Sequence, residues 1–91
     1  MNSNKNIPRR VERIATLAAK AAQIAATRVA LTDCDEAILD VQEAAFITQE
    51  AQELAKELIE KNEIWNTVEE AAIIAQNALL IAKVSIISRT N

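Results

Sequence analysis

The sequence predicts an all-α fold, a three-helix up-down-up antiparallel bundle with alanine-rich heptad seams, and three observations carry that prediction. Composition favours helices and starves turns: 91 residues hold no Gly and one Pro but eighteen Ala and twelve Ile. Small apolar residues recur at alternating spacings of four and three, the period of a helix packed along another helix. Finally, the pattern V-x-E-A-A-x-I-x-Q-x-A-x-x-x-A-K over residues 41–56 returns 27 residues later over residues 68–83, with nine matched positions. One helix is encoded twice, and what repeats is mainly a packing surface.

Residues 1–7 read as a polar N-terminal arm and residues 8–91 as a single helical-bundle domain, near the low end of the size at which one core suffices. The first helix is expected over about residues 8–31, with Pro8 in the first turn. Its stripe, Val11, Ile14, Ala18, Ala21 and Ala25, is a looser third copy of the seam, while Ala19 and Ala26, beside Lys20 and Thr27, fall on a wetter face. The second helix is expected over residues 34–61, opened by Asp33 and Glu36 at capping-box-like spacing. It carries the seam Ala37, Val41, Ala44, Thr48, Ala51, Ala55 and Leu58, and an outer face of Gln42, Glu43, Glu50, Glu53, Glu57 and Glu60. A break near residues 62–66 precedes the third helix, over residues 63–88, whose seam is Val68, Ala71, Ala75, Ala78, Ala82 and Ser85. Without Gly, helix ends fall to Asn62, Asn66 and Asn91 or to fraying. Trp65 is expected to close one end of the bundle.

Alanine at successive seam positions brings backbones to the near end of the interaxial range, and large side chains beside the seams must then supply most of the burial. The third helix has them nearly all round, with Ile73, Leu80 and Ile87 on one edge and Ile74 and Ile81 on the other, next to Val84. A three-helix monomer has no fully central helix, so one side of this one stays exposed. Ile73, Ile74, Leu80, Ile81, Val84 and Ile87 are therefore the candidate interface of a self-associating homo-oligomer, with another protein as the second possible partner. Gln76, Asn77 and Lys83 interrupt the apolar run, which predicts no transmembrane segment.

Charge divides along the chain. Residues 1–31 carry six basic groups against Glu12, for +5, and residues 32–91 carry four against twelve acidic ones, for −8, giving the total of −3. The basic first helix is expected to lie against the acidic second, within or between chains. Lys5, Arg9, Arg10 and Arg13 form a candidate basic patch, and the alternative function is a small regulator binding nucleic acid through this arm. The chain offers that role no aromatic stacking platform and a net negative charge. Arg10, Leu17, Ile24 and Leu31 recur at sevens, a spacing suited to a partner helix.

Chemistry is sparse. With no His, no Tyr and a single Cys34 set between two acids, the usual acids, bases and nucleophiles are missing, so no catalytic residue, cofactor or metal is expected. Glu43 and Glu70 occupy matching repeat positions, but paired-carboxylate metal bundles also use Glu-x-x-His. Asp33 and Asp35 lack the Gly and distant Glu of a calcium loop. The lone Cys and the polar N-terminus, with no apolar signal core, predict a cytoplasmic protein. Trp65-Asn66-Thr67 lacks the Gly of the Trp-x-Gly turn found in small secreted helical-hairpin proteins, and no family is indicated. The expected function is a non-catalytic structural or protein-interaction component of coiled-coil type.

Overall fold

The computed structural model describes residues 6–32, 34–58 and 61–90, which form helix α1 (Asn6–Thr32), a short 3₁₀ turn (Asp35–Ala37), α2 (Ile38–Lys56) and α3 (Lys61–Thr90). All three helices pack on one another in a rod of 55 × 18 × 13 Å. Two core clusters give the topology. One joins Ala22, Ala25 and Val29 of α1 to Val41 and Ala44 of α2 and to Ala75, Ala78 and Ala82 of α3. The other joins Val11, Ala15 and Ala19 to Ala51 and Ala55 and to Ile64, Val68 and Ala71. The late half of α1 thus meets the early half of α2 and the late half of α3, so the chain runs up, down and up.

Burial resolves all three helices into the same heptad. With the alternating four-three spacing lettered a and d, position a is Ala15, Ala22 and Val29 in α1, Val41, Thr48 and Ala55 in α2, and Val68, Ala75 and Ala82 in α3. All nine are 0% exposed. Of the d positions, Val11, Ala18, Ala25, Ala37, Ala44, Ala51, Ile64, Ala71 and Ala78 are buried as well, while Leu58 and Ser85 are half-buried and Thr32 is exposed. The axis of the bundle is therefore lined mostly by methyl groups, which is what lets three helices approach closely. Thr48 alone puts a hydroxyl at an a position, and its Oγ1 donates to the carbonyl of Ala45 at 2.7 Å, so the buried polar atom is satisfied within its own helix.

The stripe in α1 differs from the expected one. Val11, Ala18 and Ala25 are in the core, but Ile14 is half exposed and Ala21 lies outside, while Ala15, Ala19, Ala22 and Ala26 are buried. The run of alanines fits two registers about equally by spacing, and packing selects the one that places the smallest side chains inside. Ala19 and Ala26, expected on a wetter face, are 4% exposed.

Helix ends differ too. The break between α2 and α3 lies ahead of residues 62–66: α2 ends at Lys56, and Asn62, Trp65 and Asn66 are within α3. Glu57, directly after α2, stays right-handed (φ −91°, ψ −4°), and the Glu57 and Leu58 N–H groups donate to the Leu54 and Ala55 carbonyls at 3.1 and 3.2 Å in a tightened last turn. At the start of α2 a 3₁₀ turn is closed by Ala37 N–H donating to the Cys34 carbonyl at 3.0 Å, with no side-chain cap at Cys34; the expected capping box rests on Asp33. Asp33 lies outside the described residues. Trp65 is half-buried beside Leu58 against the second core cluster, at the end of the rod where α1 begins and α2 finishes.

Candidate interaction surface

With alanines inside, the large side chains are left outside. Among the described residues thirteen large apolar ones are exposed, from Ile7 at 44% to Leu31 at 78%. The residues predicted as an interface on α3 are among them: Ile73, Leu80, Ile81, Val84 and Ile87 are exposed and Ile74 is half-buried. On α1, Ile7, Arg10, Ile14, Leu17, Ala21, Ile24, Arg28 and Leu31 follow the same three-four spacing as the core and are all exposed, so this helix has a second seam, at heptad positions c and g. The sequence shows it as the Arg10, Leu17, Ile24 and Leu31 spacing. Ile14 and Ala21, which complete it, are hidden from spacing alone by their plausible place in the core stripe.

The three interhelical margins are not alike. Between α2 and α3 the flanking positions are filled by half-buried Ile38, Leu79, Ile86 and Trp65 packed against the core. Between α1 and α3 a groove runs beside Ala26 and Ala30 under Ile74 and Ile81. Between α1 and α2 an open groove is lined by Ala21, Ile24 and Arg28 on one side and Asp40, Glu43 and Ile47 on the other. The basic helix does lie against the acidic one, yet among the described residues no ion pair joins them. The pairs there are Lys56 with Glu53 within α2, and Arg89 with Asp35, which ties the last turn of α3 to the 3₁₀ turn.

Arg9, Arg10 and Arg13 of the predicted basic patch line one open hollow with Glu12, Thr16, Leu17 and Thr67, so a carboxylate stands among the three cations. Lys5 lies outside the described residues. Glu43 and Glu70 are exposed on different helices, and no group of three or more His, Cys, Asp or Glu that would hold a metal occurs among the described residues. Cys34 is a half-buried free thiol at the head of the 3₁₀ turn.

The expectation of no transmembrane segment is corrected. Among the described residues two helices are long and apolar enough to cross a bilayer: Ile7–Thr32, with mean hydropathy 1.2, and Asn62–Arg89, with mean hydropathy 1.7. Only 39% and 28% of their apolar windows are buried inside the bundle. Gln76 and Asn77 carry no charge, and Lys83 alone does not offset the isoleucines and leucines around it, so the interrupted run still reaches that hydropathy. The third helix is also longer than expected.

Comparison of the chain with family models, curated proteins and solved structures finds no match.

Proposed function

We propose that this chain is a non-catalytic helical module whose role is to associate with further copies of itself, as a structural or protein-interaction component. One observation carries the reading: the bundle closes around methyl groups while, among the described residues, thirteen large apolar side chains stay exposed, ten of them in rows at heptad spacing on α1 and α3. Apolar groups in rows of that spacing are complementary to another helix, whereas scattered ones are not. Covering them is where most of the remaining hydrophobic stabilisation is available, since fully burying a Leu or Ile contributes roughly 1.5–3 kcal/mol.

The test is sedimentation equilibrium over a range of concentrations, with circular dichroism on the same samples. The wild-type chain is expected to exceed monomer mass. Leu80→Glu, on the outer edge of α3, is expected to weaken association while leaving helicity in place, because a charge added at an exposed position buries nothing. A wild-type chain that stays monomeric throughout would remove the reading.

A further inference from the structure

We infer that the groove between α1 and α2 is a self-complementary docking face for a second copy of this chain, seated about a two-fold axis running along the bundle. The inference rests on the self-association proposed above and adds to the exposed α3 surface a second contact face with a geometry of its own. Both walls of the groove are heptad seams. On α1 the row is Arg10, Ile14, Leu17, Ala21, Ile24 and Arg28; on α2 it is Asp40, Glu43, Ile47, Glu50, Leu54 and Glu57. Six of these twelve residues line the groove directly, namely Ala21, Ile24, Arg28, Asp40, Glu43 and Ile47, and the rest continue the two rows.

Antiparallel packing sets which residues share a height. Val29 belongs with Ala37 and Val41 at one end, and Val11 with Ala55 at the other. Arg28 is therefore level with Asp40, Ala21 with Ile47, Ile14 with Leu54, and Arg10 with Glu57. A two-fold axis parallel to the helices preserves height and exchanges the walls, laying α1 of one copy over α2 of the other. Arg28 then stands over the partner's Asp40 and Arg10 over the partner's Glu57, with Ile14 over the partner's Leu54 and Ala21 over the partner's Ile47 between them, while Leu17 and Ile24 fall level with the partner's Glu50 and the partner's Glu43 at the outer, c positions of the two rows. The other simple arrangement, a two-fold axis across the helices, sets α1 on α1 and places Arg10 beside the partner's Arg28. Like charges oppose it.

The same charges argue for a second copy over an anionic membrane. Basic and apolar residues on α1 suit such a surface by themselves, but Glu43, Glu50 and Glu57 are exposed on the facing wall, where anionic lipid would be repelled.

A charge exchange carried out between molecules tests this. One variant carries Arg10→Glu and Arg28→Glu, and the other carries Asp40→Lys and Glu57→Lys. Each alone sets like charges across the two-fold contact and is expected to associate on the order of tenfold more weakly than wild type by sedimentation equilibrium. An equimolar mixture pairs opposite charges again, and heterodimers of near wild-type affinity are expected. If either variant loses helicity, the single substitutions Arg28→Glu and Asp40→Lys are mixed in the same way. A monomeric wild type removes the self-association reading and this one with it. An associating wild type with unaffected variants overturns this face only and leaves association to α3. Weakened variants that mixing does not restore mean the charges act within each chain, and the inference fails. Flotation with phosphatidylcholine–phosphatidylglycerol vesicles by a chain that stays monomeric in solution assigns the face to a membrane and likewise overturns it.

Discussion

The α2/α3 margin and the α1/α2 margin begin from the same core and end differently. Both helix pairs are antiparallel, and apart from Thr48 of α2 both have alanine or valine at the wholly buried positions. Beside the α2/α3 seam stand Ile38, Leu79, Ile86 and Trp65, folded down against the core, whereas beside the α1/α2 seam Ala21 faces Ile47 across an open groove, with Ile24 exposed at its edge. The a and d positions decide that helices pack and how closely. Whether a margin is finished or left available to another molecule is decided one step outward, at the flanking positions, by side-chain size and charge.

The sharpest way to break the comparison is to change side-chain volume at both levels. Ala75→Leu adds bulk at a position with no exposed surface, where the backbones are closest, and is expected to destabilise the fold by about 1–3 kcal/mol. Ala21→Leu makes the same chemical change in the open groove and is expected to leave stability within roughly 0.5 kcal/mol, since surface substitutions seldom do more. Urea unfolding at a protein concentration low enough to keep the chain monomeric gives both values. Equal midpoints would mean that the alanine axis is not tightly packed, and the distinction between core and margin would go with it.

A smaller effect compares the two margins directly. Leu79→Ala removes a half-buried side chain from the closed margin, and Leu54→Ala removes one that is 55% exposed from the open side. Leu79→Ala is expected to cost about 1–2 kcal/mol of folding stability, below the 2–5 kcal/mol range of full core truncations because the residue is only partly buried. Leu54→Ala is expected to leave folding nearly unchanged and to weaken association instead. Unfolding measured at the lowest workable concentration, with sedimentation at higher ones, separates the two quantities.

The seams of α2 and α3 are legible in the sequence because Val41, Thr48 and Val68 anchor a register that the repeat then confirms. In α1 nine of the seventeen residues between Val11 and Val29 are alanine or isoleucine, in overlapping rows, and spacing alone gives two equally periodic faces. Only packing against two other helices tells which face is inside. The outward apolar surface of α3 follows from its composition, but that of α1 is half hidden for the same reason. The early end of α2 is illegible on different grounds: propensity runs smoothly through residues 57–66, and a tightened last turn at Glu57 stops the helix without the Gly or Asn that sequence reading looks for.

The smallest expected effect concerns what holds the closed margin shut. Arg89, in the last turn of α3, pairs with Asp35 of the 3₁₀ turn, so an ionic clasp accompanies the apolar flank formed by Ile38, Leu79 and Ile86. An exposed pair gains little in high dielectric, typically 0.2–1 kcal/mol, and salt screens part of that. Asp35→Asn is therefore expected to lower stability by less than about 1 kcal/mol. Its visible consequence should be local, as faster amide hydrogen exchange in the last turn of α3, while the α2/α3 core keeps its protection. The loss should shrink further at high ionic strength. Were Asp35→Asn to cost as much as Leu79→Ala, the margin would be closed by charge and not by apolar packing, and side-chain size at the flanking positions would no longer account for why one side of this bundle is finished and the other open.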